Sequence, residues 1–207
     1  MVKTNINLFA EGEVVYTDGG VLAEFAWVLV VLPFIAALII TFAGKSLPLK
    51  GAEIALGTIG IIFIYSLALM YLHVTEGVAN EFFINVGNIG QFDIEFGWVV
   101  DGLSIMMYFV VGLVALLVFI YATNYMEGEI RYTFFFTSLT LFAGSMLVLV
   151  SSPTLIQILI GWELVGVCSY LLIGHYWEVK DNSSAAMKAF ITNKIADVGL
   201  MLSLIHI

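Results

Sequence analysis

Three ionisable residues lie within stretches that are otherwise apolar: Glu163, Lys194 and Asp197. Glu163 is midway along one such run, with Gly161 and Gly166 on either side. A charge at the centre of a bilayer costs about 2.5–3.5 kcal/mol on insertion scales, so such a residue is a functional candidate by default. A carboxyl whose charge depends on a movable cation can take up and release a proton. The structural alternative is a neutral Glu163 that hydrogen-bonds to another helix.

Lys194 and Asp197 are three residues apart, which places both on one face of a helix. Their opposite charges could simply neutralise each other as a static pair. If both lie within reach of Glu163, the three residues instead form a charged track across the bilayer centre. We therefore take Glu163, Lys194 and Asp197 as the candidate residues for proton translocation.

Structural explanations suffice for the other polar candidates. Asp101 precedes an apolar run and suits the N-cap of its helix. His73 and His175 sit at the ends of different runs, on opposite sides, and cannot build a metal site together. The single cysteine, Cys168, permits no internal disulfide or cysteine-based metal cage, and we expect it to be a small packed residue. No metal site or bound cofactor is predicted.

The composition is that of a membrane protein. Of the 207 residues, 61% are hydrophobic and only 11% are charged, with a mean hydropathy of +1.06. Soluble domains carry roughly 25% charged residues, so an ordinary soluble enzyme, a disordered chain and a secreted disulfide scaffold are all excluded. The net charge of −9 argues against nucleic acid as a partner.

Five charge-poor runs are long enough to cross a bilayer as helices, which takes about 20 residues. The runs cover residues 25–43, 54–73, 102–126, 132–150 and 153–177. A sixth run starts near Ala189 and meets the end of the chain. Pro33 lies inside the first run, where we expect a local kink rather than a stop. The first run follows a mostly acidic segment and is not a cleaved signal peptide. The predicted fold is an all-α integral membrane protein, a polytopic bundle of five complete transmembrane helices and a truncated sixth.

Basic residues predict the orientation. The connections on one side contain Lys45, Lys50, Arg131, Lys180 and Lys188. The other side holds mostly acidic residues. Because positively charged loops stay in the cytoplasm, the N-terminus is expected outside. On that outer side, residues 92–96 alternate strictly between apolar and acidic, and residues 84–86 alternate briefly. This pattern predicts a small extracytoplasmic β-hairpin.

Three segments resemble the NADH–quinone oxidoreductase subunit L family, also called subunit 5 of respiratory complex I. They are residues 101–104 leading to 121–126, residues 161–174, and residues 188–197. The second segment, which contains Gly-Trp-Glu-Leu-Val-Gly, is the most specific. The first motif usually reads Asp-Pro-Leu-Ser, and Gly102 replaces the proline here. The matches run from about residue 98 to residue 199, and the resemblance places the chain in about the first third of a full family member.

The resemblance implies an antiporter-like subunit of the complex I membrane arm that couples quinone reduction elsewhere to proton pumping. Glu163 matches a glutamate that pairs, in the family, with a lysine on a broken seventh helix, expected beyond Ile207 here. Asp197 matches the acidic position of the sixth helix. Lys194 stands where the family usually has the arginine of Arg-x-Gly-Asp, and Ala196 replaces the glycine. Unlike arginine, lysine can lose its proton.

The resemblance also implies an organisation and partners. Residues 1–98 form an N-terminal segment with two spans and the hairpin, and residues 99–201 begin the antiporter-like domain. We interpret residues 202–207 as an adapter-derived tail, because Leu-Ser-Leu-Ile-His-Ile is what a common sequencing adapter encodes in frame. Partners are other membrane-arm subunits, the lipid bilayer and protons. NADH, FMN, iron–sulfur clusters and quinone are expected in other subunits, so this enzyme subunit carries no redox site itself. The expected location is the inner (plasma) membrane of a prokaryote, ahead of the mitochondrial inner membrane.

Two other functions remain open at this point. The large subunit of an Mrp-type antiporter has similar motifs and would exchange sodium for protons without NADH. A purely structural membrane scaffold is the third possibility, but it gives no reason for three ionisable groups at bilayer depth.

Overall fold

The structure is a computed structural model that describes residues 20–89 and 92–206. In chain order, the elements are helices α1 (Gly20–Glu24), α2 (Trp27–Ala43) and α3 (Ala52–Glu76), strands β1 (Asn80–Ile89) and β2 (Phe92–Val100), and helices α4 (Gly102–Tyr125), α5 (Tyr132–Val150), α6 (Leu155–Ile173) and α7 (Lys180–His206). A short 3-10 turn, Gly44–Ser46, continues α2. The predicted fold class, a helical bundle with one small hairpin, is confirmed.

Five helices in the described ranges are long and apolar enough to cross a membrane: α2 with its 3-10 turn, and α3 to α6. They are 19–25 residues long. At 1.5 Å per residue this corresponds to roughly 28–38 Å, close to the hydrocarbon thickness of a bilayer. Helix α2 continues through Pro33 without ending there, as predicted.

The last helix differs from its prediction. Helix α7 begins at Lys180, whereas the sixth apolar run was placed near Ala189. The intervening segment contains Asp181, Lys188 and several amide and hydroxyl side chains. These polar residues lower its mean hydropathy, so it does not resemble a membrane span. These residues tolerate a helix outside the bilayer, because their side chains can be solvated there. The helix is therefore longer than the apolar run that it contains.

The helices pack in a definite order. Helix α3 packs on α4, α2 on α5, α5 on α6, and α6 on α7. Large buried side chains such as Tyr108, Phe119 and Phe136 fill the space between α3, α4 and α5. Small residues allow close approach, as is usual between transmembrane helices. A Cβ at Gly112 would lie only 3.2 Å from the Cα of Phe63, so α3 and α4 nearly touch there.

The hairpin joins α3 to α4 and is docked on the start of α6. Strands β1 and β2 pair antiparallel from Asn80 opposite Val100, so the predicted hairpin is confirmed and is longer than the alternating residues indicated. Its turn at residues 90–91 lies outside the described residues. Gln157 of α6 holds the hairpin: the Gly97 amide donates to Oε1 at 2.9 Å and Nε2 donates to the Gly97 carbonyl at 2.8 Å.

Asp101 caps α4, as the sequence predicted. The Ser104 amide donates to Asp101 Oδ1 at 2.7 Å, and the Asp101 amide donates to Ser104 Oγ at 2.8 Å. This reciprocal capping box satisfies two backbone donors at the helix start. Asp101 therefore has a structural role in the fold.

Candidate functional site

The three predicted residues lie together where α6 and α7 pack. The Lys194 ammonium of α7 forms an ion pair with the Glu163 carboxylate of α6. The same ammonium lies 3.2 Å from Oδ2 of Asp197, three residues further along α7. One lysine is thus shared by two carboxylates on different helices. The static Lys194–Asp197 pair that the sequence left open is only half of the arrangement.

Asp197 has a second partner that the sequence did not predict. The indole N–H of Trp162 donates to Asp197 Oδ1 at 2.8 Å, while Lys194 engages Oδ2. Both oxygens of the buried Asp197 carboxylate are therefore occupied. A tryptophan at bilayer depth must place its N–H on some acceptor, which is the signal that could have identified Trp162.

The two carboxylates differ in burial. The side chain of Glu163 is 36% exposed and that of Asp197 only 7%. Asp197 is fixed by two donors inside the helix pair, whereas Glu163 is more open and has Lys194 as its ion-pair partner. If Lys194 shifts toward Asp197, the Glu163 carboxylate loses its ion-pair partner. A small movement of one ammonium can therefore change which of the two carboxylates has a cation beside it.

Glycines on α6 make room for this geometry. A Cβ at Gly161 would lie 2.9 Å from the backbone nitrogen and Cα of Leu149, so only glycine lets α6 approach α5 this closely. A Cβ at Gly166 would lie 3.9 Å from Lys194 Nζ, which leaves space for the ammonium. Lys194 Nζ also lies 5.3 Å from the ring centroid of Phe190, within the range of a cation–π contact.

The remaining candidates lie apart from this site. Cys168 is 4% exposed and lies 3.8 Å from Ser145 Oγ, a small packed residue as predicted. His73 is in the last turn of α3, where its Nδ1 donates to the Val78 carbonyl at 2.7 Å. His175 follows α6 and is 4% exposed. Both histidines therefore lie at helix ends.

An ion pair joins the α4–α5 connection to the α6–α7 connection. Arg131 donates to Glu178 Oε2 at 2.6 Å, and its guanidinium carbon lies 4.2 Å from the Trp177 ring centroid. Arg131 holds the pKa of Glu178 below its ordinary value, mainly through this hydrogen bond. Burial, and then the Arg131 charge, lower the pKa of His175. These contacts fix the start of α7 relative to α5.

Comparison with known families gives two matches along the chain. A model of the family "NADH-Ubiquinone oxidoreductase (complex I), chain 5 N-terminus" matches residues 87–136. A model of the family "NADH:quinone oxidoreductase/Mrp antiporter, TM" matches residues 151–207, which include Glu163, Lys194 and Asp197. The interpretation of residues 202–207 as an adapter-derived tail stays a prediction.

Curated relatives are also subunit 5 proteins of quinone oxidoreductases. Chain 5 of NAD(P)H-quinone oxidoreductase from Synechocystis sp. is 38% identical over 191 residues, covering 89% of this chain. Chloroplastic subunit 5 from Chlorokybus atmophyticus is 37% identical over 189 residues, covering 88% of this chain. The chain spans only 28% and 29%, respectively, of the length of these relatives.

A solved structure shares the fold. A chain of the membrane-bound sulfane sulfur reductase, an archaeal respiratory membrane complex, superimposes with a TM-score of 0.70 at 12% identity. The match covers 85% of this chain and 35% of the archaeal one. The likeness concerns the arrangement of helices alone.

Proposed function

This chain belongs to the subunit 5, or subunit L, family of NADH–quinone oxidoreductases, and from that membership we propose that it is part of a proton-translocating subunit of the complex I membrane arm. The intact subunit would move protons across the membrane while other subunits pass electrons from NADH to quinone. NADH, FMN, iron–sulfur clusters and quinone would all be bound by those subunits. Within this chain Glu163 would take up and release the proton, and Lys194 and Asp197 would complete the charged group that controls it.

The observation that carries the proposal is the single ammonium shared between two carboxylates on neighbouring helices. Lys194 is paired with both Glu163 and Asp197, and Asp197 is additionally held by Trp162. A static structural pair requires only one carboxylate. A second carboxylate that is more exposed and less firmly held is what a proton carrier requires.

The proposed cycle needs only a small movement. With Lys194 on Glu163, that carboxylate is charged and balanced. When Lys194 turns toward Asp197, the uncompensated Glu163 carboxylate takes one proton and becomes neutral. The return of the ammonium expels that proton. Asp197 keeps the hydrogen bond from Trp162 throughout the cycle.

The charge distribution supports an orientation for this cycle. The basic connections, which hold Lys45, Lys50 and Arg131 among others, would face the cytoplasm, with the N-terminus and the hairpin on the outer side. In a prokaryote the membrane would be the inner (plasma) membrane. Other membrane-arm subunits and the lipid bilayer would surround the helices.

The test is Glu163→Gln in the full-length subunit assembled in its complex. Gln keeps the shape of Glu163 but cannot exchange a proton, so the protons pumped per quinone reduced should fall in proteoliposomes. Glu127→Gln is the matched control, because Glu127 is exposed outside the spans. Pumping that is unchanged in assembled Glu163→Gln complexes would refute the proposal.

An Mrp-type sodium/proton antiporter is the second candidate, because the family matched over residues 151–207 includes antiporters. The ion itself distinguishes the two. Under the complex I proposal, transport proceeds when sodium is replaced by choline and requires quinone reduction. Transport that needs sodium and proceeds without NADH would favour the antiporter.

A further inference from the structure

Trp162 and Glu163 are consecutive residues of α6 that contact neighbouring charges on α7. The Trp162 indole N–H donates to Asp197 Oδ1 at 2.8 Å. The Glu163 carboxylate pairs with the Lys194 ammonium. Because Lys194 and Asp197 are three residues apart, both lie on one face of α7. Two adjacent positions of one helix therefore contact both charges of the other.

The indole donor controls how the Asp197 carboxylate meets the lysine. Trp162 occupies Oδ1, and Oδ2 is the oxygen that lies 3.2 Å from Lys194 Nζ. Hydrogen bonds from an ammonium to a carboxylate are usually about 2.7–2.9 Å long, so this contact is a long one. A carboxylate released by the indole could turn and bring an oxygen closer to the ammonium. Trp162 thus keeps Asp197 from binding Lys194 more tightly.

Without this restraint, the two carboxylates would compete unequally for Lys194. Asp197 belongs to the same helix as Lys194, so it stays within reach of the ammonium wherever α6 lies. Glu163 belongs to α6, so its pair with Lys194 depends on how the two helices are aligned. Asp197 is also the more buried carboxylate, and opposite charges attract more strongly where the effective dielectric constant is low. An unrestrained Asp197 would therefore retain the ammonium.

We propose that Trp162 is a positioning residue that makes the choice of partner by Lys194 depend on the packing of α6 against α7. This inference rests on the proposed function. In the present alignment, Trp162 holds Asp197 in place and the ammonium remains shared with Glu163. A movement of α7 away from α6 breaks both contacts between the helices at once. The released Asp197 then takes the ammonium, and the return of α7 restores the shared arrangement.

The first experiment separates the indole N–H from the bulk of the ring. Trp162→Phe keeps an apolar aromatic ring and removes the donor, whereas Trp162→His keeps a ring N–H on a smaller and more polar ring. The protons pumped per quinone reduced, measured in proteoliposomes with the assembled complex, should fall several-fold in Trp162→Phe and less in Trp162→His. A role in packing alone predicts the opposite order. Normal pumping in Trp162→Phe, or pumping in Trp162→His that is no better, would overturn the proposal.

The matched control is Trp27→Phe, which makes the same change at the start of α2, outside the contact between α6 and α7. It should leave pumping unchanged. A loss in Trp27→Phe as large as that in Trp162→Phe would show that the N–H at position 162 has no special role, and the proposal would fail.

The second experiment detects the contact without measuring transport. Subtracting the infrared spectrum of Asp197→Asn from that of the unmodified full-length subunit isolates the carboxylate stretch of Asp197. Because this stretch responds to hydrogen bonding, the band should shift when Trp162→Phe is introduced into both proteins. Introducing Trp27→Phe in the same way should not shift it. A band that is unmoved by Trp162→Phe contradicts the proposal.

These outcomes separate the positioning role from the function that it would serve. If Glu163→Gln pumps normally, the proposed function fails, whatever the infrared band of Asp197 shows about Trp162. If Glu163→Gln reduces pumping while Trp162→Phe does not, the function stands and the positioning role is wrong.

Discussion

Replacing Lys194 with methionine should destabilise the subunit far more than neutralising Glu163. In Lys194→Met, Asp197 is only 5% exposed and keeps just the hydrogen bond from Trp162. Removing one partner of a buried ion pair costs about 3–5 kcal/mol, because a buried charge is left uncompensated. In Glu163→Gln, Lys194 still pairs with Asp197. Because the remaining Lys194–Asp197 pair is neutral, no buried charge is left uncompensated, so Glu163→Gln should cost less stability than Lys194→Met.

The assay is equilibrium unfolding of the full-length subunit in detergent micelles, followed by tryptophan fluorescence. Lys194→Met leaves two carboxylates without their cation, and the double variant Lys194→Met with Asp197→Asn also removes the more deeply buried of the two charges. Residues in direct contact couple by about 0.5–3 kcal/mol, so the double variant should recover a measurable part of the loss. Equal losses for Lys194→Met and Glu163→Gln, or no recovery in the double variant, would refute the reasoning that Asp197 depends on Lys194.

Two further predictions concern the surroundings of the site. Gln157→Leu removes both hydrogen bonds to Gly97. The free energy of unfolding should fall by about 1–3 kcal/mol, because each hydrogen bond contributes about 0.5–1.5 kcal/mol. Amide hydrogen exchange at Gly97 should then accelerate, whereas Ile156→Ala on the exposed side of α6 should not change it. His175 has a folded pKa below its ordinary 6.5, so the unfolded chain binds its proton first and stability falls as pH drops below about 6.5. His175→Phe should flatten this dependence in thermal unfolding between pH 5 and 8, and an unaltered pH profile would show that other groups cause it.

The membrane spans and the hairpin follow closely from the sequence. Long charge-poor runs indicate helices, because backbone N–H and C=O groups without hydrogen-bond partners are not tolerated in lipid. Strict alternation at residues 92–96 indicates a strand. Asp101 was predicted to cap α4 because its side-chain acceptor precedes an apolar run, and the structure places it there. In each case the signal lies within a few residues of the element that it predicts.

The start of α7 was missed for the opposite reason. Its first turns carry Lys180, Asp181 and Lys188, so hydropathy falls while the backbone remains helical. An apolar run indicates only the part of a helix that lies within the membrane. A helix that continues beyond the membrane has no such limit, and its boundary depends on neighbouring connections such as the Arg131–Glu178 pair.

The sequence predicts which residues form the candidate site, but it does not predict which contacts they make. Ionisable residues at bilayer depth identified Glu163, Lys194 and Asp197, and the spacing of the last two placed them on one helix face. The pairing of Glu163 with Lys194 depends on how α6 and α7 align, which their separate periodicities do not determine. The hydrogen bond from Trp162 to Asp197 depends on the same alignment.

The close approach at Gly161 determines which part of the molecule is free to shift. Helix α6 lies against the backbone of α5 at Leu149, and Gln157 anchors its N-terminal end to the hairpin. Sliding or rotating α6 would force backbone atoms into each other or break both hydrogen bonds between Gln157 and Gly97. The backbone that carries Glu163 is thus held in place. A helix movement that changes the distance between Lys194 and Glu163 must therefore be a movement of α7, and side-chain rotation is the other way to change it.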